Sequence, residues 1–329
     1  MQPMIADPFD ASVAVQHRSH VPVHVIGHAR SGTSLFATML RKYLRIAFGT
    51  ESQFIVRFYT RLPNYGDLNQ AHNRDRLVRD IYRERWFVRC RKFGFATTPE
   101  EILADVAVPT YAGILDAVFR QLAKHLNMPR WGDKTPEYVH ALPTLYKLFP
   151  NARYIHVVRD GRDVALSGFD VPFGEKNVYC AAKGWCSAMS RVNQFARMLP
   201  PEQFLEVRYE DFVEHPTDVF AKLIRFLEID DADGNLLSFV RERIGADIVR
   251  GNSEKWRQRL SPAQVRRFDA VAYAQLVRCG YESSLEREAR PNVLSRALWH
   301  FDNRFRKLCR QDYWQDNLYK LRLKFRGIS

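Results

Sequence analysis

VPVHVIGHARSGTSLFATML, the sequence of residues 21–40, predicts a strand, a loop and a helix in that order. Val23, Val25 and Ile26 form a short β-branched run, long enough for one buried strand. A loop of mostly small residues follows at 27–32, and the apolar residues after it have helical spacing. This arrangement directs backbone N–H groups and a helix N-terminus at one point, where a phosphate group can bind.

The loop nearly matches the P-loop pattern G-x-x-x-x-G-K-[ST], but Thr33 stands where the lysine is required. Nucleoside triphosphatases use that lysine on the β- and γ-phosphates. The cation of this loop is instead Arg30, three residues earlier. We therefore expect a site that holds a phosphate-like group without hydrolysing a triphosphate.

The composition suits a globular protein that binds anions. The 329 residues are 46% hydrophobic and 13% aromatic, enough for one large α/β domain or two small ones. Lys and Arg number 50 against 37 Asp and Glu, a net charge of +13. This excess favours anionic ligands or surfaces without identifying them. We expect no nucleic-acid partner, because no motif typical of RNA- or DNA-binding proteins is evident.

Hydropathy and cysteine usage bear on the cellular setting. No run approaches about 18 consecutive apolar residues, so no transmembrane helix is expected. Residues 1–20 lack the basic start and apolar core of a signal peptide. The five cysteines are odd in number and show no metal-like clustering, which a reducing, cytoplasmic setting explains most simply. We expect no metal site.

A second candidate phosphate site lies in residues 153–169, RYIHVVRDGRDVALSGF. The pattern predicts a buried strand, a turn and a helix whose N-cap is Asp163. Arg159 would then lie at the carboxyl end of the strand, where ligands of open α/β sheets bind. Ser167 would lie about one turn into the helix, so both side chains could bind one phosphate.

Four motifs in this order resemble sulfotransferases that use 3′-phosphoadenosine 5′-phosphosulfate (PAPS). RSGTSL at 30–35 resembles their 5′-phosphosulfate loop, PRSGTTL, and RDGRDVALS at 159–167 resembles their 3′-phosphate motif, RDPRDVALS. VRYED at 207–211 and RGNSEKW at 250–256 resemble a segment near the adenosine and a late loop over the 3′-phosphate. The resemblance covers roughly residues 21–281.

The resemblance implies a site for PAPS and for its product, 3′-phosphoadenosine 5′-phosphate (PAP). The nucleotide-binding residues carried over are Arg30, Ser31, Gly32, Thr33, Ser34, Arg159, Ser167, Tyr209, Arg250 and Gly251. Lys134 belongs to GDKTP, a motif common in the same families, and is assigned to the leaving side of the reaction. Glu51 stands 21 residues after Arg30, the separation of the catalytic glutamate in protein-tyrosine sulfotransferases, the closest-looking branch. The alternative roles for Glu51 are a surface carboxylate or a salt bridge to Arg57.

These residues favour a sulfotransferase that moves a sulfuryl group from PAPS to a hydroxyl or amine acceptor by in-line displacement. Arg30 and Lys134 would stabilise the leaving phosphate, and Glu51 would accept the proton of the acceptor. The acceptor stays open among tyrosine, carbohydrate, lipid and small molecules. A P-loop-like nucleotide or small-molecule kinase is the alternative, against which Thr33 argues. A non-enzymatic protein that binds nucleic acid or membranes is a second alternative, which would rest on the net charge of +13 and on the C-terminal tail.

We expect an α/β, P-loop-like three-layer fold with a central, mostly parallel sheet flanked by helices. The predicted divisions are a flexible leader at 1–20, a sulfotransferase domain at 21–285 and a basic, aromatic helical extension at 286–329. Residues 50–109 should cover the sheet and help shape the acceptor pocket. The extension could contact a membrane peripherally or form a homodimer, although a helix of this kind more often folds back on its own domain.

Overall fold

The computed structural model describes residues 15–248, 251–287, 289, 291–309 and 314. The strands are β1 (Gln16–His17), β2 (Val23–Ile26), β3 (Ile46–Phe48), β4 (Arg130–Lys134), β5 (Arg153–Val158), β6 (Phe204–Arg208) and β7 (Ile229–Asp230). The helices are α1 (Thr33–Leu44), α2 (Ile55–Tyr59), α3 (Ala71–Tyr82), α4 (Arg85–Cys90), α5 (Pro99–Ala104), α6 (Tyr111–His125), α7 (Leu142–Leu148), α8 (Gly161–Phe169), α9 (Val178–Ala196), α10 (Tyr209–Glu214), α11 (Pro216–Phe226), α12 (Asn235–Asp247), α13 (Trp256–Arg259), α14 (Pro262–Arg278) and α15 (Val293–Leu308).

Five of the strands form one parallel sheet in the order β3-β4-β2-β5-β6. Successive side chains of a strand point to opposite faces, and β5 shows the result. Ile155 and Val157 pack into one core with α1 and α11, whereas Tyr154 and Val158 pack into the other with α6 and α9. Helices therefore cover both faces, and the predicted three-layer α/β fold is confirmed.

The strand order places a crevice next to β2. From β2 the chain runs through α1 to β3 on one side, and it later passes from β4 to β5 on the other side. Where the strand order reverses in this way, ligands bind beyond the carboxyl ends of the strands. The predicted phosphate loop, residues 27–32, leaves β2 at this point.

Two local predictions need correction. Gln16 and His17 are not part of a loose leader, because they pair antiparallel with β7, and His17 Nε2 hydrogen-bonds the Leu44 carbonyl at 2.8 Å. Asp163 does not cap α8, because the helix begins at Gly161 and its N-cap is Asp160. The Asp160 side chain accepts from the Arg162 N–H at 2.9 Å. Residues 1–14 of the predicted leader lie outside the described residues.

The C-terminal extension contains α15, which packs on the domain through a contact of the Trp299 and Tyr179 rings, with 4.9 Å between their centroids. Apart from Trp314, residues 310–329 lie outside the described ones. Within the described residues, no helix is long and apolar enough to cross a membrane.

Candidate active site

A cleft of about 960 Å³ opens at the carboxyl edge of the parallel sheet. Each strand of the sheet ends beside one expected site residue: Arg30 follows β2, Glu51 follows β3, Lys134 ends β4, Arg159 follows β5 and Tyr209 follows β6. Because parallel strands end at the same edge, this topology gathers residues that are far apart in sequence. All of them except Lys134 line the cleft directly.

The loop after β2 needs glycine at position 32. Gly32 has φ of 87°, in the left-handed region, and a Cβ there would lie 2.3 Å from the ring of Tyr209. The helix α1 starts at the next residue without a side-chain cap. The first N–H groups of a helix have no partner within it, so the start of α1, where Thr33 and Ser34 line the cleft, offers donors to an anion.

Lys134 joins this loop to the predicted base. Its Nζ donates to Ser34 Oγ at 3.0 Å and to Glu51 Oε1 at 2.6 Å. The lysine side chain is 11% exposed, so it lies just beneath the cleft surface. Arg57, the other possible partner of Glu51, forms an ion pair with Glu84 at 2.7 Å.

The first and second motifs meet at Arg30 and Ser167. Arg30 Nε donates to Ser167 Oγ at 2.9 Å, and the Arg30 carbonyl accepts from Arg159 Nη1 at 3.4 Å. Arg159 is buried, and its guanidinium lies 4.5 Å from the centroid of the Tyr209 ring. Arg30 therefore lies between the two residues predicted to bind one phosphate.

The late loop closes over the second motif without the inner glycine of the family pattern. Asn252 accepts from Arg159 Nη2 through its backbone carbonyl at 2.5 Å and donates through Nδ2 to the Tyr209 hydroxyl at 3.0 Å. Asp163 Oδ1 accepts from the Trp256 N–H at 2.9 Å. Gly251, with φ of 74°, precedes Asn252. Sequence reasoning missed Asn252, although it named the glycine next to it.

Three predicted nucleotide-binding residues are not among the described residues that line the cleft. Ser31 is fully buried, and its Oγ has no hydrogen-bond partner among the described residues. Gly251 is not among the residues that line the cleft, although its neighbour Asn252 is. Arg250 lies outside the described residues. No group of His, Cys, Asp and Glu in the described part of the chain is placed to hold a metal ion.

A second wall of the cleft is rich in arginine. It is formed by α2 and α4 with the residues before α4, and its cationic residues are Arg57, Arg83, Arg85 and Arg89. Trp86 lines the same wall and donates through Nε1 to the Thr50 carbonyl at 3.0 Å, which fixes the residue before Glu51. The sequence predicted that residues 50–109 shape this side but not which arginines face inward.

Asp133, next to Lys134 in β4, is an ionisable group strongly altered by burial near the site. It is 3% exposed, and this burial raises its pKa to about 7. Hydrogen bonds from Ser52 and Thr135 oppose the effect of burial. Ser52 itself donates its backbone N–H to Thr135 Oγ1 at 3.0 Å, so Asp133 lies under the segment that carries Glu51.

Known proteins are similar in sequence to this chain over more than half of its length. An uncharacterized protein of Aquifex aeolicus is 25% identical over 260 residues, 74% of this chain and 31% of that protein. A protein-tyrosine sulfotransferase of Drosophila melanogaster is 24% identical over 217 residues, 63% of this chain and 38% of that protein. The chain thus spans well under half of the length of these two relatives.

Solved structures support the same fold. The sulfotransferase domain of the Synechococcus PCC 7002 olefin synthase is 23% identical, aligns over 82% of this chain and 99% of that domain, and has a TM-score of 0.50. A family model described as a sulfotransferase family matches residues 22–233, which is more than half of the 329 residues. The matched region includes the expected site residues from Arg30 to Tyr209. The chain belongs to the sulfotransferase family.

Proposed function

We propose that this chain transfers a sulfuryl group from PAPS to a hydroxyl or amine acceptor by in-line displacement. The observation that carries the proposal is the position of Lys134, which contacts both Ser34 of the phosphate loop and Glu51. One cation thereby links the residues assigned to the donor and the residue assigned to the acceptor. Membership of the sulfotransferase family supports PAPS as the donor.

The described residues fit such a donor. The uncapped start of α1, with Arg30 beside it, suits the 5′-phosphosulfate, since N–H groups and a guanidinium bind anionic oxygens. Arg159 and Ser167 suit the 3′-phosphate, and the Nε of Arg159 is buried without a hydrogen-bond partner among the described residues. Tyr209, stacked on Arg159, is assigned to the adenosine.

In the proposed reaction, the acceptor oxygen or nitrogen bonds to sulfur while the bond from sulfur to the 5′-phosphate oxygen breaks. Arg30 and Lys134 stabilise the negative charge that develops on that leaving oxygen. Glu51 accepts the proton that the acceptor loses. The products are PAP and the sulfated acceptor, and the scheme uses no metal ion.

The arginine-rich wall favours an acceptor that carries negative charge near its nucleophile. Arg89 lies on that wall of the cleft, and Arg83 lies there in an ion pair with Asp80 at 2.8 Å. Tyrosine within an acidic peptide is the first acceptor to test, because the Drosophila relative is named a protein-tyrosine sulfotransferase. A cytoplasmic setting remains part of the proposal and rests on the odd, unclustered cysteines of the sequence.

The direct experiment supplies PAPS labelled on its sulfuryl group together with panels of acidic tyrosine peptides, sugars, lipids and small hydroxylated compounds. We expect label in one acceptor class, one PAP released per transfer, and unchanged rates in the presence of EDTA. ATP turnover that requires Mg²⁺, without transfer from PAPS, would instead support the kinase alternative.

A further inference from the structure

The helix α15 exposes an apolar stripe to solvent. Its members recur every three or four residues and are each between 40% and 71% exposed: Leu294, Leu298, Phe301, Phe305 and Leu308. An amphipathic helix of a globular domain normally turns such a stripe toward the core. In the described residues before α15, exposed large apolar side chains are scattered: Val88, Val108, Phe173, Met198 and Val277.

The side of α15 opposite the stripe packs on the domain. The stripe therefore faces away from the domain. Asn303 is buried, and its Oδ1 accepts from the Lys176 N–H at 2.6 Å. Asn177 Nδ2 donates to the Trp299 carbonyl at 2.7 Å and to Asp302 at 2.9 Å. Trp299 and Asn303 are at positions i and i+4, so both lie on one side of the helix.

Positive charge flanks the stripe on one side. At about 100° per residue, the exposed Arg304 falls beside it. Arg306 lies further round the helix, where its Nε donates to Asp302 Oδ1 at 2.6 Å. Over residues 290–329 the sequence has ten Lys and Arg against three Asp, a net +7 of the chain's +13. Phe and Leu on one face with Arg beside them are typical of helices that lie in the headgroup region of a membrane.

The same charge disfavours a second copy as the occupant. Two α15 helices that shared their stripes would bring two strongly basic segments together, whereas an anionic lipid surface has the opposite charge. The side of α15 opposite the stripe attaches near the cleft. The segment 175–177 that holds α15 follows Phe173, an exposed residue that lines the cleft.

We infer that the α15 stripe docks on a membrane surface that contains anionic phospholipid. The aromatic and leucine side chains enter the headgroup region, while Arg304 contacts lipid phosphates. The inference stands on surface chemistry alone and goes beyond the proposed sulfuryl transfer, so the two can fail separately.

The test is co-sedimentation of the full chain with phosphatidylcholine vesicles, with and without phosphatidylglycerol. We expect binding to the vesicles that contain phosphatidylglycerol and release at high salt, since salt screens the charges. The double variant Phe301→Glu/Phe305→Glu should bind at least roughly tenfold more weakly for each phenylalanine removed. The matched control Met198→Glu/Val277→Glu changes two equally exposed apolar residues elsewhere and should bind like the wild type.

Arg304→Ala provides a second variant that does not alter the stripe, and it should bind about fivefold more weakly. Melting temperatures near that of the wild type confirm that the variants fold. Three results would overturn the inference: absence of vesicle binding by the wild type, equal binding to both kinds of vesicle, or equal binding by wild type and the phenylalanine variant. A dimer that the phenylalanine variant abolishes, without vesicle binding, would assign the stripe to a second copy.

Discussion

Arg159 and Tyr209 are the first residues after two neighbouring parallel strands, and the Arg159 guanidinium lies 4.5 Å from the centroid of the Tyr209 ring. The last residues of these strands, Val158 and Arg208, are register partners. The contact is therefore fixed by the sheet itself. It gives the candidate 3′-phosphate site a rigid cation, held from the other side by the Asn252 carbonyl.

The first prediction concerns recognition of the 3′-phosphate. PAP should stabilise the protein more than AMP, which lacks that phosphate, because Arg159 pairs with it. At 100 times its dissociation constant, PAP should contribute about 2.7 kcal/mol. Thermal melts with both compounds measure the difference, and Arg159→Met should remove it. Equal stabilisation of the wild type by PAP and AMP would refute the assignment of Arg159 and Ser167.

The second prediction concerns Gly32. Gly32→Ala should destabilise the protein by at least about 1–2 kcal/mol, because a left-handed residue with a Cβ is strained and this Cβ would overlap the Tyr209 ring. Gly245→Ala is the matched control: it lies within α12, and an added Cβ meets nothing within 4 Å. That change should stabilise by about 0.5–1 kcal/mol. Urea unfolding measures the change in unfolding free energy for both variants. A change of the same sign in both would contradict the steric conflict described for Gly32.

The third prediction concerns pH and Asp133. Burial raises the pKa of Asp133 to about 7 in the folded protein, so the folded state holds a proton that the unfolded state releases above its lower pKa, near 4. The contribution of Asp133 to stability therefore falls as pH rises from about 4 to 7, by at most about 1.4 kcal/mol per pH unit. Asp133→Asn lacks this loss. Unfolding free energies across that range should diverge in favour of the variant as pH rises, and parallel curves would contradict the prediction.

The fourth prediction concerns the arginine-rich wall. Arg89→Ala should raise KM for an acidic acceptor by about two- to fivefold, the magnitude of one exposed charge pair, with kcat unchanged. Arg91→Ala, an exposed arginine two residues further along that does not line the cleft, serves as the control. Steady-state kinetics with matched acidic and neutral acceptors provide the measurement. An equal KM effect on the neutral acceptor would show that Arg89 acts by packing rather than by charge.

Much of the fold and half of the site follow from local sequence. Arg159 could be predicted because it directly follows a β-branched run, and the ends of parallel strands meet at one edge. Arg30 could be predicted as the cation of the loop after such a run. Lys134 and Tyr209 follow only from the resemblance to sulfotransferase motifs. Gly32 could be predicted as essential to the loop. Tyr209, whose ring would overlap a Cβ at position 32, could not, because it follows a strand two positions away in the sheet.

Other features depend on packing between segments that no local pattern connects. The Asn252 carbonyl accepts a hydrogen bond from Arg159, which is 93 residues earlier in the sequence. The Asp163 carboxylate accepts from the Trp256 N–H and does not cap its own helix. The sequence also could not predict that the α15 stripe faces solvent. Residue spacing shows that a helix is amphipathic but not which side packs on the domain. Buried polar anchors such as Asn303 decide that, and they are visible only in three dimensions.

The fifth prediction tests the central claim, that Glu51 is the base next to Lys134. Glu51→Gln keeps the size of the side chain but cannot accept the acceptor's proton, so transfer should slow by about 10²–10⁴-fold. PAP affinity should stay nearly unchanged, because Glu51 is assigned to the acceptor side, whereas Arg30→Ala should reduce both. Glu137→Gln, a neutralised carboxylate on the same cleft, is the matched control and should retain transfer.

The decisive measurement is single-turnover transfer from labelled PAPS, with PAP titration, on the wild type, Glu51→Gln and Glu137→Gln. The account predicts a large loss of the transfer rate in Glu51→Gln alone, with all three proteins binding PAP equally. Near-wild-type transfer by Glu51→Gln would contradict it and leave Glu51 as a salt-bridge partner of Lys134.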